Sequence, residues 1–214
     1  MERLQVLDRY VNKEDESLSE ILKTAEGIMD HILGNEKITG MVSAIRDKNE
    51  DLYDHSMVVA GLSIVTAIKM NMDPTYVYSI GVGALLHDQG LKDIEIDYID
   101  KDQNMLSPED LFEYKKHTVY GFSEVENESW MSSASKKIVL FHHEKLNGSG
   151  YPLKQTIIPP EVRIVSVCDT FDDMIRGIGY KQADAKDACQ YLKDYQDAYY
   201  DSRIVDIFLQ LIEA

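Results

Sequence analysis

Five of the six histidines in this chain fall in four short clusters: His55, the pair His87-Asp88, His117, and the pair His142-His143. Asp51 stands four residues before His55, and Asp169 interrupts an otherwise apolar stripe. Imidazole and carboxylate groups gathered in one place suit Mn, Fe or Zn, and such ions generate hydroxide at neutral pH. Each signal alone has an ordinary explanation. Asp51 and His55 would share a helix face as a surface pair. A histidine pair at a helix C-terminus is favoured by the helix dipole when charged. An aspartate on an apolar face can be a hydrogen-bonded core residue. Their joint occurrence in one chain favours a shared metal site over any of these. Adjacent helical residues diverge by about 100°, so His142 and His143 can serve two different ions. His31, the sixth histidine, has no such company.

The elements that must position these groups read as helices. Residues 1 to 34 are charged and helix-favouring, with apolar positions at Leu18, Ile21, Leu22, Ala25, Ile28, Met29 and Ile32, and Gly34-Asn35 as a stop. This part, bounded at 37, reads as an N-terminal helical segment or connector, and 38–214 as the main domain. Residues 55–70 and 75–87 are apolar on most sides, which predicts two deeply buried helices. Between them Asp73 is the expected N-cap, with Pro74 at the first helical position. Residues 91–106 are charged and irregular. Ser107-Pro108-Glu109-Asp110 predicts a new helix opened by a capping box, carrying His117 and stopping at Gly121. A helix over 133–143 ends in the histidine pair, and the glycine- and proline-rich stretch 144–160 is a loop. Residues 161–176 place Ile164, Val167, Cys168, Phe171, Met174 and Ile175 on one helical stripe, with Asp169 on the same side. One or two helices follow over 184–213. Strand signals are weak throughout, so the fold class is all-α.

Bulk properties narrow the function. The chain has 214 residues, enough for one full-sized domain, with 44% hydrophobic residues. Its formal net charge is -16, from 22 basic and 38 acidic side chains. A DNA or RNA polymer or a membrane surface needs a basic face, so neither is an expected partner. A small anion remains open to it, because a metal cluster can override the global field. Cys168 and Cys189 lie in apolar helical surroundings and read as reduced core thiols. There is no signal-peptide pattern and no apolar run approaching the ~18 residues of a membrane span, so the expected location is cytoplasmic.

Taken in order, the clusters resemble the HD-GYP branch of the HD-domain phosphohydrolases, from about Met41 to the end. His55-Ser56 with Val59-Ala60 is similar to the first histidine motif, and His87-Asp88-Gln89-Gly90 to the HD motif. Lys116-His117 followed by Gly121 resembles the third. His142-His143-Glu144 through Gly148, Gly150, Tyr151 and Pro152 is the most specific piece, because it joins ligands to the namesake loop. Asp169-Thr170-Phe171-Asp172 resembles the last ligand motif, and Tyr200-Asp201 through Phe208 the closing helix. The resemblance implies an HD-domain helical bundle with an extra N-terminal helical segment. It implies hydrolysis of cyclic di-GMP to linear pGpG or GMP through a hydroxide bridging two or three divalent ions, commonly Fe or Mn. His55, His87, Asp88 and Asp169 would hold one ion. Asp88, His117, His142 and His143 would hold a second, and Asp51 would help a third.

The same resemblance assigns substrate groups and marks departures. Gly150, Tyr151 and Pro152 would form a wall of the substrate site, with the Tyr151 ring stacking on a base. The family's usual lysine after the HD motif is replaced by Leu91, with Lys92 one residue later. The usual Arg-Pro-Tyr-Arg run reads Ile178-Gly179-Tyr180-Lys181, and Asn147 replaces a frequent aspartate. Tyr180 and Lys181 remain, Lys181 would stabilise transition-state charge, and Arg176 would compensate for the lost arginine. With two family cations missing, two other readings stand beside the phosphodiesterase. One is a weak or inactive cyclic-dinucleotide sensor. The other is an HD phosphohydrolase for another nucleotide. A homodimer formed through the first helix, or an upstream regulatory domain, would couple the site to a signal.

Overall fold

The computed structural model describes Leu4, Gln5, Leu7, Tyr10, Val11 and residues 16–212. Ten α-helices follow one another among the described residues. They are α1 (Glu16–Leu33), α2 (Glu36–Lys48), α3 (Glu50–Lys69), α4 (Pro74–Leu85), α5 (Pro108–Lys115), α6 (His117–Val125), α7 (Ser133–Phe141), α8 (Pro160–Arg176), α9 (Ala185–Asp194) and α10 (Ser202–Leu209). Short 3-10 turns lie at Gln89–Asp93 and Gln103–Met105. Among the described residues, extended pairing is confined to isolated bridges, such as Ile99 with Ile178. The helical expectation for residues 1 to 34 is met over α1; most of residues 1–15 lie outside the described residues.

Capping chemistry explains several starts. Asn35 accepts from the Lys37 amide at 3.0 Å, and Asn49 from the Asp51 amide at 2.9 Å. Asp73 accepts from the Thr75 amide at 2.9 Å, with Pro74 in the first turn as its fixed φ favours. Ser107 accepts from the Asp110 amide at 3.0 Å, which is one half of the expected capping box. The return bond from the Asp110 carboxylate is absent among the described hydrogen bonds.

Helix α3 is the centre of the molecule. It is buried on nearly all sides from His55 to Ala67 and packs against α4, α8, α2 and α1. This is why its apolar pattern runs round the helix rather than along one stripe. Helix α1 buries Ala25, Met29 and Ile32 in the same core.

One boundary corrects the sequence reading. The helix expected over 107–121 is two helices, breaking at Lys116, and the second runs through Gly121 to Val125. Gly121 is not a stop. Its missing side chain lets α6 lie against the turn after α4, where the Gly90 amide is 3.3 Å from the place a Cβ would occupy. Residues 91–106 also gain order from a distant segment. The Asp100 amide donates to the Gly177 carbonyl at 2.7 Å, and the Gln103 amide to Gly179 at 2.9 Å. That tie keeps Tyr98 buried, its ring 5.3 Å from Tyr114.

Candidate metal centre

Five helices deliver the histidines and aspartates to one place. His55 comes from the middle of α3, and His87-Asp88 from the turn ending α4. His117 opens α6, His142 caps α7 with His143 next, and Asp169 faces inward from α8. All of these side chains are buried. The outer ring nitrogens of His55, His87, His117 and His142 are already committed. His87 Nδ1 donates to the Ala84 carbonyl at 2.6 Å, and His117 Nδ1 to Tyr114 at 2.7 Å. His142 Nδ1 lies 3.1 Å from both the Ile138 and Val139 carbonyls, and His55 Nδ1 donates to Asp172 Oδ2 at 2.8 Å. These bonds assign the proton to Nδ1 and leave the Nε2 lone pairs pointing inward.

Those inward nitrogens face one another. His55 Nε2 lies 3.2 Å from His87 Nε2, and His117 Nε2 lies 3.3 Å from His142 Nε2. Two lone pairs at that separation repel unless a proton or a cation stands between them. Asp169 Oδ1 is 3.0 Å from His87 Nε2 and 3.3 Å from His55 Nε2. Asp88 serves both pairs: Oδ2 is 3.6 Å from His55 and His87, and Oδ1 is 3.4 Å from His117 and His142. Two sets of potential ligand atoms result, each within 4.8 Å: His55, His87, Asp88 and Asp169, and Asp88, His117, His142 and His143. His143, Asp169 and Asp173 form a third. Asp88 Oδ1, Asp169 Oδ2 and Asp173 Oδ1 are buried without a hydrogen-bond partner. Orphaned carboxylate oxygens beside inward imidazole lone pairs fit divalent cations.

The electrostatics of the protein groups alone point the same way. Burial opposes charge on His55, but hydrogen bonds to Asp169 and Asp172 outweigh it and raise its pKa well above the usual value. His87 is raised against burial by Asp88 and Asp169. Burial pushes His117 down to about 4, and burial with the neighbouring His142 holds His143 well below its usual value. Burial would raise Asp88 and Asp169, yet the histidines hold both carboxyls below the usual range. Asp173 is pushed well above that range by burial and by Asp169. Several buried carboxylates therefore compete for too little positive charge.

Surrounding groups fix the frame. Asp172, bonded to His55, also accepts from Arg176 Nε at 2.6 Å. Glu144 accepts from the Leu153 amide at 2.6 Å and the Gln155 amide at 3.1 Å, holding the loop after the histidine pair. Within that loop a Cβ on Gly150 would fall 2.4 Å from the His143 carbonyl, so only glycine fits. Tyr151 then lies with its ring 4.8 Å from His143 and 6.1 Å from His117. Lys115 Nζ sits 5.1 Å over that ring.

Several expected residues are placed elsewhere. Asp51 is exposed and belongs to none of the three sets. It shares the face of His55 but lies one turn nearer the helix start, about 5.4 Å along the axis, and its side chain is short. Arg176 is tied to Asp172 behind the site rather than free for a substrate. Lys181 is exposed and makes no hydrogen bond or ion pair among the described residues. Tyr180 packs against Tyr191, with ring centroids 5.9 Å apart. Leu91 is buried in the core, and Lys92 pairs with Glu124 and Asp93, away from the cluster. Three residues near the centre were not foreseen: Asp173, Lys145 and Lys115. Asp173 was findable, since it stands four residues after Asp169 and so shares its helical face. Lys145 carries no such signal.

With this geometry established, comparison with known proteins places the chain. A family model for the HD domain matches residues 41–204. Over 221 residues the chain is 33% identical to a cyclic di-GMP phosphodiesterase of Thermotoga maritima, covering 98% of this chain and 59% of that protein. It is 33% identical over 156 residues to the cyclic di-GMP phosphodiesterase response regulator RpfG of Xanthomonas campestris pv. campestris, covering 71% of this chain and 40% of that one. An HDG"Y"P protein from Bdellovibrio bacteriovorus superposes with a TM-score of 0.67 at 24% identity, covering 97% of this chain and 66% of that chain, a likeness of fold. The chain belongs to the HD-domain family, in its HD-GYP branch. It spans 59% and 40% of the length of the two curated relatives.

Proposed function

We propose that this chain is a metal-dependent phosphodiesterase that hydrolyses cyclic di-GMP to linear pGpG, GMP or both. The observation that carries the reading is Asp88, whose two oxygens each face a separate histidine pair. His55, His87, Asp88 and Asp169 would hold one ion, and Asp88, His117, His142 and His143 a second. Fe or Mn fits the mixed nitrogen and oxygen donors, and His143, Asp169 and Asp173 offer a place for a third ion. Bound there, the ions supply Lewis acidity toward phosphoryl oxygens and a water acidic enough to act as nucleophile.

The chain's own groups do the rest. The Nδ1 hydrogen bonds orient the imidazoles of His55, His87, His117 and His142 and fix their tautomers. Tyr98, Tyr114 and Tyr151, all buried near the aspartates, keep bulk water from the centre. Tyr151 offers a ring face to a base. Hydrolysis adds water across one P–O3′ bond, leaving a 5′-phosphate and a free 3′-hydroxyl. No described helix is long and apolar enough to cross a membrane, which suits action in the cytoplasm on a free dinucleotide. Signal input through a second copy or a further domain, by way of α1, belongs to the same proposal.

Product analysis tests it. Protein loaded anaerobically with Fe(II) or Mn(II) should convert cyclic di-GMP to pGpG or GMP, and chelator should stop it. Substituting His87 and Asp88 by Ala should remove both metal and turnover. The buried Leu91 and Ile178 favour one alternative, a receptor that binds without turnover. Tight binding of intact dinucleotide with no product would select it.

A further inference from the structure

Cyclic dinucleotides carry two phosphates, and the two family cations that would meet them are apolar here. Most basic side chains near the centre are already neutralised. Arg176 is paired with Asp172, Lys92 with Glu124 and Asp93, Lys116 with Glu113, and Arg163 with Asp201. Lys115 is held over the Tyr151 ring. Lys115, Lys145 and Lys181 have no carboxylate partner among the described residues, and of these three only Lys145 is tethered by a hydroxyl beside the aspartates. Lys145 stands two residues after His143, with its Nζ 4.3 Å over the ring of Tyr200. It donates to the Tyr200 hydroxyl at 3.0 Å, and that hydroxyl shares a 3.0 Å hydrogen bond with Thr170, the neighbour of Asp169. No carboxylate stands within ion-pair distance of this ammonium among the described residues. An ammonium has three donors. Only a neutral phenol takes one of them among the described residues, and no carboxylate takes any.

We propose that Lys145 is the phosphate-binding cation of this site, with Tyr200 as the residue that positions it. A partly buried ammonium without an anionic partner is an unfavourable arrangement that an incoming phosphate relieves. The Tyr200 ring lies beneath the ammonium and its hydroxyl tethers it, so the lysine stem needs little further ordering when the anion arrives. The inference rests on the phosphodiesterase reading for the identity of the substrate, but not for the anion itself.

The test compares the metal-loaded chain with Lys145→Met and Lys145→Arg. Inorganic phosphate binding is measured by calorimetry, metal content by elemental analysis, and KM and kcat with cyclic di-GMP. Lys145→Met should keep its metal and lose phosphate affinity by about 10- to 100-fold, as expected for one charge-assisted bond. Its KM should rise by a similar factor, and Lys145→Arg should recover most of both. Equal phosphate affinity in the wild type and Lys145→Met, or no phosphate binding by either, overturns the proposal. Failure of the wild type to hydrolyse the dinucleotide, with phosphate binding still dependent on Lys145, would instead overturn the phosphodiesterase reading alone.

Discussion

Asp88 faces His55 and His87 on one side and His117 on the other, whose proton affinities are set in opposite directions, and this difference predicts how the centre responds to acid. His55 and His87 hold protons more tightly than an ordinary imidazole, because nearby aspartates outweigh burial. His117 is pushed down to about 4, and His143 also falls, chiefly through burial. A metal ion must displace any proton on its ligands. As pH falls, the group built on His55 and His87 therefore takes up protons first, beginning at or above the ordinary imidazole range. His117 and His143 stay neutral further into acid. Metal content after equilibrium dialysis over a descending pH series should drop in two steps, and a single step would contradict the assignment. At this scale the sequence was informative where a residue type was costly in its setting, as with Asp169 on an apolar stripe. It placed Asp51 on the face of His55, while the structure leaves that carboxylate exposed and outside the three sets of potential ligand atoms. It was silent on Lys145, whose neighbours Tyr200 and Thr170 lie 55 and 25 residues further along.

Helices hold these side chains through a few contacts between backbones. The closest is between the turn after α4 and the start of α6, where a Cβ on Gly90 would stand 2.1 Å from the His117 carbonyl oxygen. Backbone cannot yield there as a flexible side chain could. Gly90→Ala should push α6 outward and carry His117 away from Asp88, now 3.4 Å distant. A loss of about 1–3 kcal/mol is expected for such overpacking, with depletion of the ion held by His117, His142 and His143. Gly27 is the comparison, since it lies within α1 with nothing within 4 Å of an added Cβ. Gly27→Ala should stabilise by up to about 1 kcal/mol through helix propensity. Denaturant unfolding separates the two, and equal stability of both variants would show that the close approach is unimportant. Caps at Asp73 and Ser107 were readable because their chemistry is local. Gly121 was misread as a stop because its reason is tertiary: it faces Gly90, which only the folded chain brings near. The tie between Asp100 and Gly177 escaped for the same cause.

At the level of the whole molecule, the helical class was legible because α3, α4 and α8 each carry a long, consistent apolar pattern. The energetic weak point was also legible as a number, the net charge of -16. The structure locates its most expensive part, since Asp88, Asp169, Asp172 and Asp173 are all buried within one cluster. Like charges in a low-dielectric interior destabilise the folded state, and the unfolded chain relieves them by solvation. Divalent ions that bind the folded cluster and not the unfolded chain must therefore raise stability. At a free metal concentration 100 times Kd the gain is about 2.7 kcal/mol per ion. For a domain of this size that corresponds to about 5–11 °C in Tm. Thermal unfolding with Mn(II) should show such a rise, saturating with metal and reversed by chelator. Sodium chloride at matched ionic strength should give only a small part of it, because screening acts weakly on buried charge. A Tm that follows ionic strength regardless of the cation would mean that general screening, and not occupancy of the His/Asp cluster, governs the stability of this fold.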